Sequence, residues 1–313
     1  AAVETVIDTE NQTATLMVYG GGFYGLAAPE REREPAAGTG AFADVTPATE
    51  SLVAGALTEL RAMDIYRGYP DNTAQPGRNL TRLEFFTIAV RLAGGESAAA
   101  ALEGQRPDFT DAIPGWGWGY VNQAVAMGLA RGYPDGSFKP LQDVTGYEAL
   151  TVLVRVLGPE GDAVALGKPW PQGYYDAATE LGLLDDVADL VEGDLPGWLG
   201  GYINRGEMAV LTGAAVWTQA RYDPAGGLTQ STSIAAQHNW WRETVRIAAV
   251  SHDGRRWALA RPVQVPGTGS VDRLEVDRQP RLAPGASLPS AGQTARVFGV
   301  QRTVTAILSI GAP

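Results

Sequence analysis

An internal repeat limits the possible folds of this chain more than any other feature. Gly68-Tyr69-Pro70-Asp71 recurs as Gly132-Tyr133-Pro134-Asp135, and Thr81-Arg82-Leu83-Glu84 recurs in register as Thr145-Gly146-Tyr147-Glu148. One offset of about 64 residues relates all of these pairs. Upstream, Phe42-Ala43-Asp44-Val45 is matched by Phe109-Thr110-Asp111-Ala112, with a few residues' difference in spacing. A more divergent third copy runs from Tyr174-Tyr175-Asp176-Ala177-Ala178 through Leu181-Gly182-Leu183-Leu184 to Asn204-Arg205-Gly206-Glu207, without the Gly-Tyr-Pro-Asp turn.

Each copy predicts a helix, a turn-rich loop and a second helix. Pro134-Asp135-Gly136 is a tight turn, and Asp71 and Asp135 suit Asx-type turns, with Tyr69 and Tyr133 bracing the loops. Thr145 followed by Glu148, and Thr81 followed by Glu84, are capping boxes that open helices over 147–157 and 83–92. Taken alone, Thr-x-x-Glu signals helix capping and nothing more.

Together, Phe-x-Asp-Val, a helix ending in Gly-Tyr-Pro-Asp-Gly-x-Phe-x-Pro and a second helix opened by Thr-Arg-x-Glu resemble the S-layer homology family. Residues 132–140 match that loop without a gap, and the three copies cover somewhat over half of the chain. The resemblance implies a pseudo-threefold unit whose first helices bundle centrally, with ligand grooves between neighbouring repeats. The implied ligand is an anionic cell-wall polysaccharide, commonly pyruvylated, and the implied glycan-binding residues are Arg82, Arg205, Trp118, Glu84, Glu148 and Glu207. An arginine at a helix N-terminus suits a carboxylate, because the guanidinium fork and the peptide dipole both favour it. Asn204 replaces threonine before Arg205 and can still cap. Gly146 occupies the arginine position of the second copy, and Ala54 and Gln172 align with Trp118, so the grooves are expected to be unequal.

Outside the repeats the texture is that of strands. Two short strands are expected at 5–7 and 13–19, and a linker at 29–41. Five more are expected at 244–250, 257–265, 270–276, 295–300 and 303–310, with a hairpin turn at His252-Asp253-Gly254. These predict a small all-β barrel or sandwich, similar to the β-barrels that often accompany surface-layer repeats. A lone hairpin is marginal in water, so the N-terminal strands should pair with a sheet edge of the same chain or of the next one, and exchange between chains is slightly favoured.

Composition narrows the function. A formal charge of −11 over 313 residues disfavours nucleic acid and anionic membranes, so any anionic ligand must be held by local arginines. The chain has no cysteine, which excludes thiol chemistry, and His238 and His252 are isolated, so no cofactor or metal is expected. Gly20-Gly21-Gly22-Phe23-Tyr24-Gly25 satisfies Gly-x-Gly-x-x-Gly, but Pro29 and Pro35 leave no crossover helix, which favours a hinge over a dinucleotide site. Paired carboxylates for glycoside cleavage could meet only in three dimensions. No apolar run reaches the length of a bilayer span, and the start at Ala1-Ala2 fits a processed form.

The expected architecture is therefore α+β and multidomain. A β-strand segment at 1–28 and the linker precede an α-helical pseudo-threefold S-layer homology repeat unit at 42–222, with copies at about 42–95, 107–158 and 170–222. A second linker at 223–240 then leads to the β-domain at 241–313. The expected function is that of a non-enzymatic, extracellular protein of the cell wall or cell surface that binds wall polysaccharide non-covalently. The alternative is a structural subunit of a surface array or filament, a homo-oligomer or polymer assembled by β-strand exchange. An envelope hydrolase would need a catalytic domain of a size this chain does not offer.

Overall fold

The computed structural model describes residues 3–8, 13–18, 22–26, 42–46, 49, 51–158, 167–188, 190–191, 194–218, 220–223, 227–230, 233–250, 256–265, 269–278, 281–282, 293–300 and 303–310. The expected linker at 29–41 and the turn at 252–254 lie outside these residues. The chain forms two compact units, one of residues 1–41, 46–51 and 239–313 and the other of residues 42–45 and 52–238.

The first unit is built of strands. β1 (Val3–Asp8), β2 (Thr13–Val18) and β3 (Gly22–Leu26) form an antiparallel sheet in sequence order. The glycine-rich stretch expected as a hinge is thus partly a strand, since Gly22 to Leu26 pair with Val18 to Ala14. β6 (Trp240–Val250), β7 (Arg256–Val265), β8 (Gly269–Arg278), β9 (Arg281–Leu282), β10 (Thr294–Val300) and β11 (Thr303–Ile310) form a second sheet in the order β8-β7-β6-β10-β11-β9. Alternation sets its buried face: Val245 and Ile247 on β6 and Ala295 and Val297 on β10 are all buried, while Arg246 between the first two is exposed.

The sheet is open, which corrects the expected barrel or sandwich. Closure requires the outermost strands to pair, and among the described residues β8 and β9 do not. β9 spans two residues and pairs only with Ala306 and Ile307 of β11, too little to complete a wall. Within this chain β3 lies beside β8, the edge strand of the larger sheet.

The second unit is mainly helical. Its helices are α1 (Ser51–Ala62, whose first residue lies in the other unit), α2 (Arg82–Leu92), α3 (Glu96–Ala101), α4 (Trp118–Ala126), α5 (Gly146–Leu157), α6 (Gln172–Glu180), α7 (Asp185–Ala188), α8 (Leu195–Gly200), α9 (Arg205–Trp217) and α10 (Ile234–Gln237). β5 (Gly227–Gln230) and α10 fall in the stretch expected as the second linker, which therefore carries regular structure, and β5 pairs with β4 (Ala220–Asp223) at the end of the expected third copy.

Three helices open with the same device. At α2, α5 and α9 the N-cap side chains of Thr81, Thr145 and Asn204 accept the N3 amide, and Glu84, Glu148 and Glu207 reach back to the N-cap amide. This satisfies donors that a helix start otherwise leaves unpaired. The segments just before these helices close a ring: Val144 N–H donates to Leu80 C=O at 3.0 Å, Ile203 to Val144 at 2.9 Å and Leu80 to Ile203 at 3.1 Å. A second ring surrounds it, from Arg82 N–H to Gln142 C=O at 2.8 Å, Gly146 to Gly201 at 3.0 Å and Arg205 to Arg78 at 2.9 Å. All three residues of the inner ring are buried, so their backbone groups are satisfied only when the three stretches of chain are together.

The ring dictates which helices are central. α2 packs on α5 and α5 on α9, whereas α4 rests against α2 and α6 against α5. The expectation that the first helices bundle centrally is therefore reversed. α2 buries every residue except Glu84 and Arg91, whereas α4 buries only Gly119, Val121 and Ala124, and a helix apolar nearly all round belongs inside. The loops before the central helices are held by aspartates: Asp44 accepts the amides of Ala74 and Gln75 at 2.8 and 2.7 Å, and Asp111 those of Phe138 and Lys139 at 2.8 and 2.7 Å. Asp71 and Asp135 form the expected Asx-type turns by accepting the amide and hydroxyl of Thr73 and Ser137 respectively.

Candidate functional site

The candidate site repeats where the start of one central helix meets the loop and capping glutamate of the next stretch. At the junction of α9 with the Tyr69 loop, Arg205 is 4% exposed. Its Nε donates to Ala74 C=O at 2.7 Å, its Nη1 lies 3.7 Å from Glu84 Oε1, and its guanidinium carbon is 4.8 and 4.4 Å from the ring centres of Tyr66 and Tyr69. At the junction of α2 with the Tyr133 loop, Arg82 Nη2 donates to Arg131 C=O at 2.9 Å and its Nη1 lies 3.8 Å from Glu148 Oε1. The rings of Phe86, Tyr133 and Phe138 surround its guanidinium at about 5 Å. Arg82 Nε is buried without a hydrogen-bond partner, and burial lowers the pKa of this arginine. Both arginines are thus buried struts between neighbouring stretches, with few donors left for a ligand.

Each capping glutamate has a second partner. Glu84 Oε1 accepts from Tyr69 Oη at 2.5 Å, Glu148 Oε1 from Tyr133 Oη at 3.3 Å and Glu207 Oε1 from Trp198 Nε1 at 3.0 Å. Trp198, on α8, thus does for Glu207 what the tyrosines do for the other two. No arginine approaches from Gly146, because Leu199 of α8 fills that space. A Cβ on Gly146 would lie 2.8 Å from Leu199 Cα.

Two cations missed in the sequence complete the tyrosine junctions. The guanidinium carbon of Arg78 is 5.2 Å from the Tyr69 ring centre, its Nη1 donates to Tyr69 Oη at 2.5 Å and its Nη2 is 3.3 Å from Glu84. Lys139 Nζ is 4.0 Å from the Tyr133 ring centre. Tyr69 therefore contacts both Arg78 and Arg205, and Tyr133 both Lys139 and Arg82. Arg78 and Lys139 escape detection because their repeat-matched positions are Gln142 and Gln75, so no shared motif marks them. Trp118 stands apart: its Nε1 donates to Ile113 C=O at 2.9 Å, which braces the start of α4 and leaves that donor turned away from the glutamates of the expected set.

Residues 108–150, which include Tyr133, Gly146 and Glu148, match the S-layer homology domain family. The chain contains an S-layer homology domain. Similar proteins include a "Middle cell wall protein" of Brevibacillus brevis (33% identity over 132 residues, 42% of this chain and 12% of the relative). A "Surface layer protein" of Brevibacillus choshinensis is 31% identical over 142 residues, 45% of this chain and 12% of the relative. A "Cellulosome-anchoring protein" of Acetivibrio thermocellus is 27% identical over 124 residues, 39% of this chain and 28% of the relative. The matches thus span well under a third of these relatives' own lengths. The S-layer homology domain and these relatives place the chain at the cell surface or cell wall. Among the described residues no helix is long and apolar enough to cross a membrane, and no group of acidic or histidine side chains could hold a metal ion.

The electrostatics of the junctions predict acid sensitivity. Burial opposes ionisation of Glu84, but the Tyr69 hydroxyl, the Thr81 amide and hydroxyl and Arg205 together outweigh it, and its pKa lies below the ordinary value of 4.5. A carboxyl with a lower pKa when folded contributes stability above its unfolded pKa, and this is lost as pH falls through the folded value. Thermal unfolding followed between neutrality and strong acid should show the midpoint falling once pH drops below the ordinary glutamate range. Glu84→Gln should be less stable at neutral pH and should flatten that part of the profile. An unchanged slope in the variant would remove Glu84 as a source. At alkaline pH Tyr69 stays a donor, since burial and its bond to Glu84 raise its pKa to about 12.

Proposed function

We propose that this cell-surface protein is a non-enzymatic anchor whose three S-layer homology repeats, at about 42–95, 107–158 and 170–222, hold anionic wall polysaccharide non-covalently. The observation that carries this reading is the pair of cations on each junction tyrosine. Arg78 and Arg205 lie on Tyr69 beside the capping Glu84, and Lys139 and Arg82 lie on Tyr133, which gathers cations at two places in a chain of net charge −11. A carboxylated or pyruvylated sugar is the ligand such local fields favour. The buried arginines then serve as struts that set the tyrosine and the capping glutamate, while Arg78 and Lys139 at the rim make the contact. The name of the cellulosome-anchoring relative agrees with an anchoring role.

The test is sedimentation of the full chain with purified cell walls, before and after the wall polysaccharide is stripped chemically. Arg78→Ala and Lys139→Ala combined should lower wall affinity more than tenfold, since each lost charge-assisted bond is worth roughly 1.5–3 kcal/mol. Unaltered co-sedimentation of a folded double variant, or equal binding to stripped walls, would refute the reading. A second reading, a subunit of a surface array or filament, draws on the surface-layer relative and on the open strand order of the larger sheet. Under it, deleting residues 1–19 should abolish ordered assemblies in electron micrographs, and an unchanged lattice would exclude strand exchange.

A further inference from the structure

The third junction differs chemically from the other two. Building on the proposal that the junctions meet wall glycan, we propose that the junction at Gly146 takes an uncharged sugar ring, stacked on Trp170, rather than a carboxylated one. Trp170 is 59% exposed, although its single polar side-chain atom, Nε1, already donates to Thr151 Oγ1 at 3.0 Å. The indole is thus fixed by its polar edge, and its remaining free surface is carbon and π face.

Further aromatic residues stand along and just ahead of the first turns of α5. Thr151 donates to the carbonyl of Tyr147, one turn earlier on α5, and the rings of Tyr147 and Tyr175 meet edge to face with centres 6.5 Å apart. Both tyrosines are half-buried. Tyr202, 60% exposed, is bridged through its backbone to Thr145 just ahead of α5. Leu83 on α2 and Gly206 on α9 stand where Tyr147 is on α5, so a ring at this position is particular to the Gly146 junction.

Charge decides what kind of sugar fits. Gly146 supplies no guanidinium and Leu199 covers its position. The nearby Lys168 is tied to Asp176. Asp194 is close enough to help burial and Tyr175 raise the pKa of Tyr147, and Glu207, bonded to Trp198, is the capping glutamate of this junction. A carboxylated ligand would meet like charge here without a clamp. A pyranose without charge has one face of C–H groups to lay on an indole and hydroxyls at its rim for the tyrosines, which is the complementary chemistry.

The experiment titrates the full chain with an uncharged N-acetylglucosamine tetrasaccharide and, separately, with purified anionic wall polysaccharide, using calorimetry and tryptophan fluorescence. Trp170→Ala should weaken the uncharged ligand at least tenfold and Trp170→Phe should retain most of the affinity. Arg78→Ala should instead weaken the anionic polymer. Binding of the anionic polymer without any binding of the uncharged one would overturn this inference alone, and failure of the folded chain to bind either would overturn the anchoring proposal as well. Equal affinity of Trp170→Ala and the natural chain for the tetrasaccharide, or a change only in sedimentation state that marks Trp170 as a contact between copies, would also overturn it.

Discussion

Replacing Arg205 by alanine is expected to destabilise the helical unit by about 3 kcal/mol, with Arg82→Ala costing less. The magnitudes come from the contacts. The bond from Arg205 Nε to Ala74 C=O at 2.7 Å is charge-assisted and buried, and its loss also leaves that carbonyl unpaired. Such a bond contributes roughly 1.5–3 kcal/mol, and stacking on Tyr66 and Tyr69 adds on the order of 1 kcal/mol. The 3.7 Å approach to Glu84 is long and adds little. Arg82 has the same kind of bond, to Arg131 C=O, but it already carries an unsatisfied Nε, so less is lost when the side chain is removed. Arg205 also joins stretches of chain that are far apart in sequence, so its loss should lower the cooperativity of unfolding. Chemical denaturation of the two variants side by side checks the order. If Arg205→Ala were as stable as the natural chain, the strut role would be wrong.

Gly146→Arg, which makes the second motif match the first and third, is expected to cost about 3 kcal/mol or more and to create no new anion site. The Cβ alone would sit 2.8 Å from Leu199 Cα and 3.0 Å from Leu199 O, and backbone atoms cannot swing away as a side-chain tip can. Gly146→Ala should therefore already carry most of the penalty. Glu207 Oε1 accepts from Trp198 Nε1 at 3.0 Å, the bond that a tyrosine hydroxyl makes at the other two junctions. Leu199 and Trp198 lie on the same short helix, so α8 replaces both the arginine's bulk and the tyrosine's hydrogen bond. Unfolding of both variants, together with calorimetry on anionic wall polysaccharide, checks this. A stable Gly146→Arg chain with one more site than the natural one would show the junction to be open rather than filled.

The periodic part of this protein is legible from its residues alone. The offset between the Gly-Tyr-Pro-Asp turns and the Thr-x-x-Glu starts locates the capping boxes at α2 and α5, because a capping box is closed by residues three apart. Asn204 and Glu207 locate the third for the same reason. The C-terminal strands are equally local, and Thr303–Ile310 has the expected bounds.

The arrangement of these elements belongs to the tertiary structure. The rings through Leu80, Val144 and Ile203 join backbone groups roughly 60 or more residues apart, and no side-chain pattern encodes a backbone partner. Those rings also settle which helices stand at the centre. The position of Arg78 and Lys139 over Tyr69 and Tyr133 is likewise invisible in an alignment of repeats, because the two cations reach matching places from unmatched positions. Sequence singles out Arg82 and Arg205 through the motif they share. Their burial against aromatic rings, which makes them struts rather than free donors, exists only once the neighbouring stretch of chain has closed over them. Gly146 shows the same division, since the sequence records a missing arginine and only the packing of Leu199 shows the space to be filled.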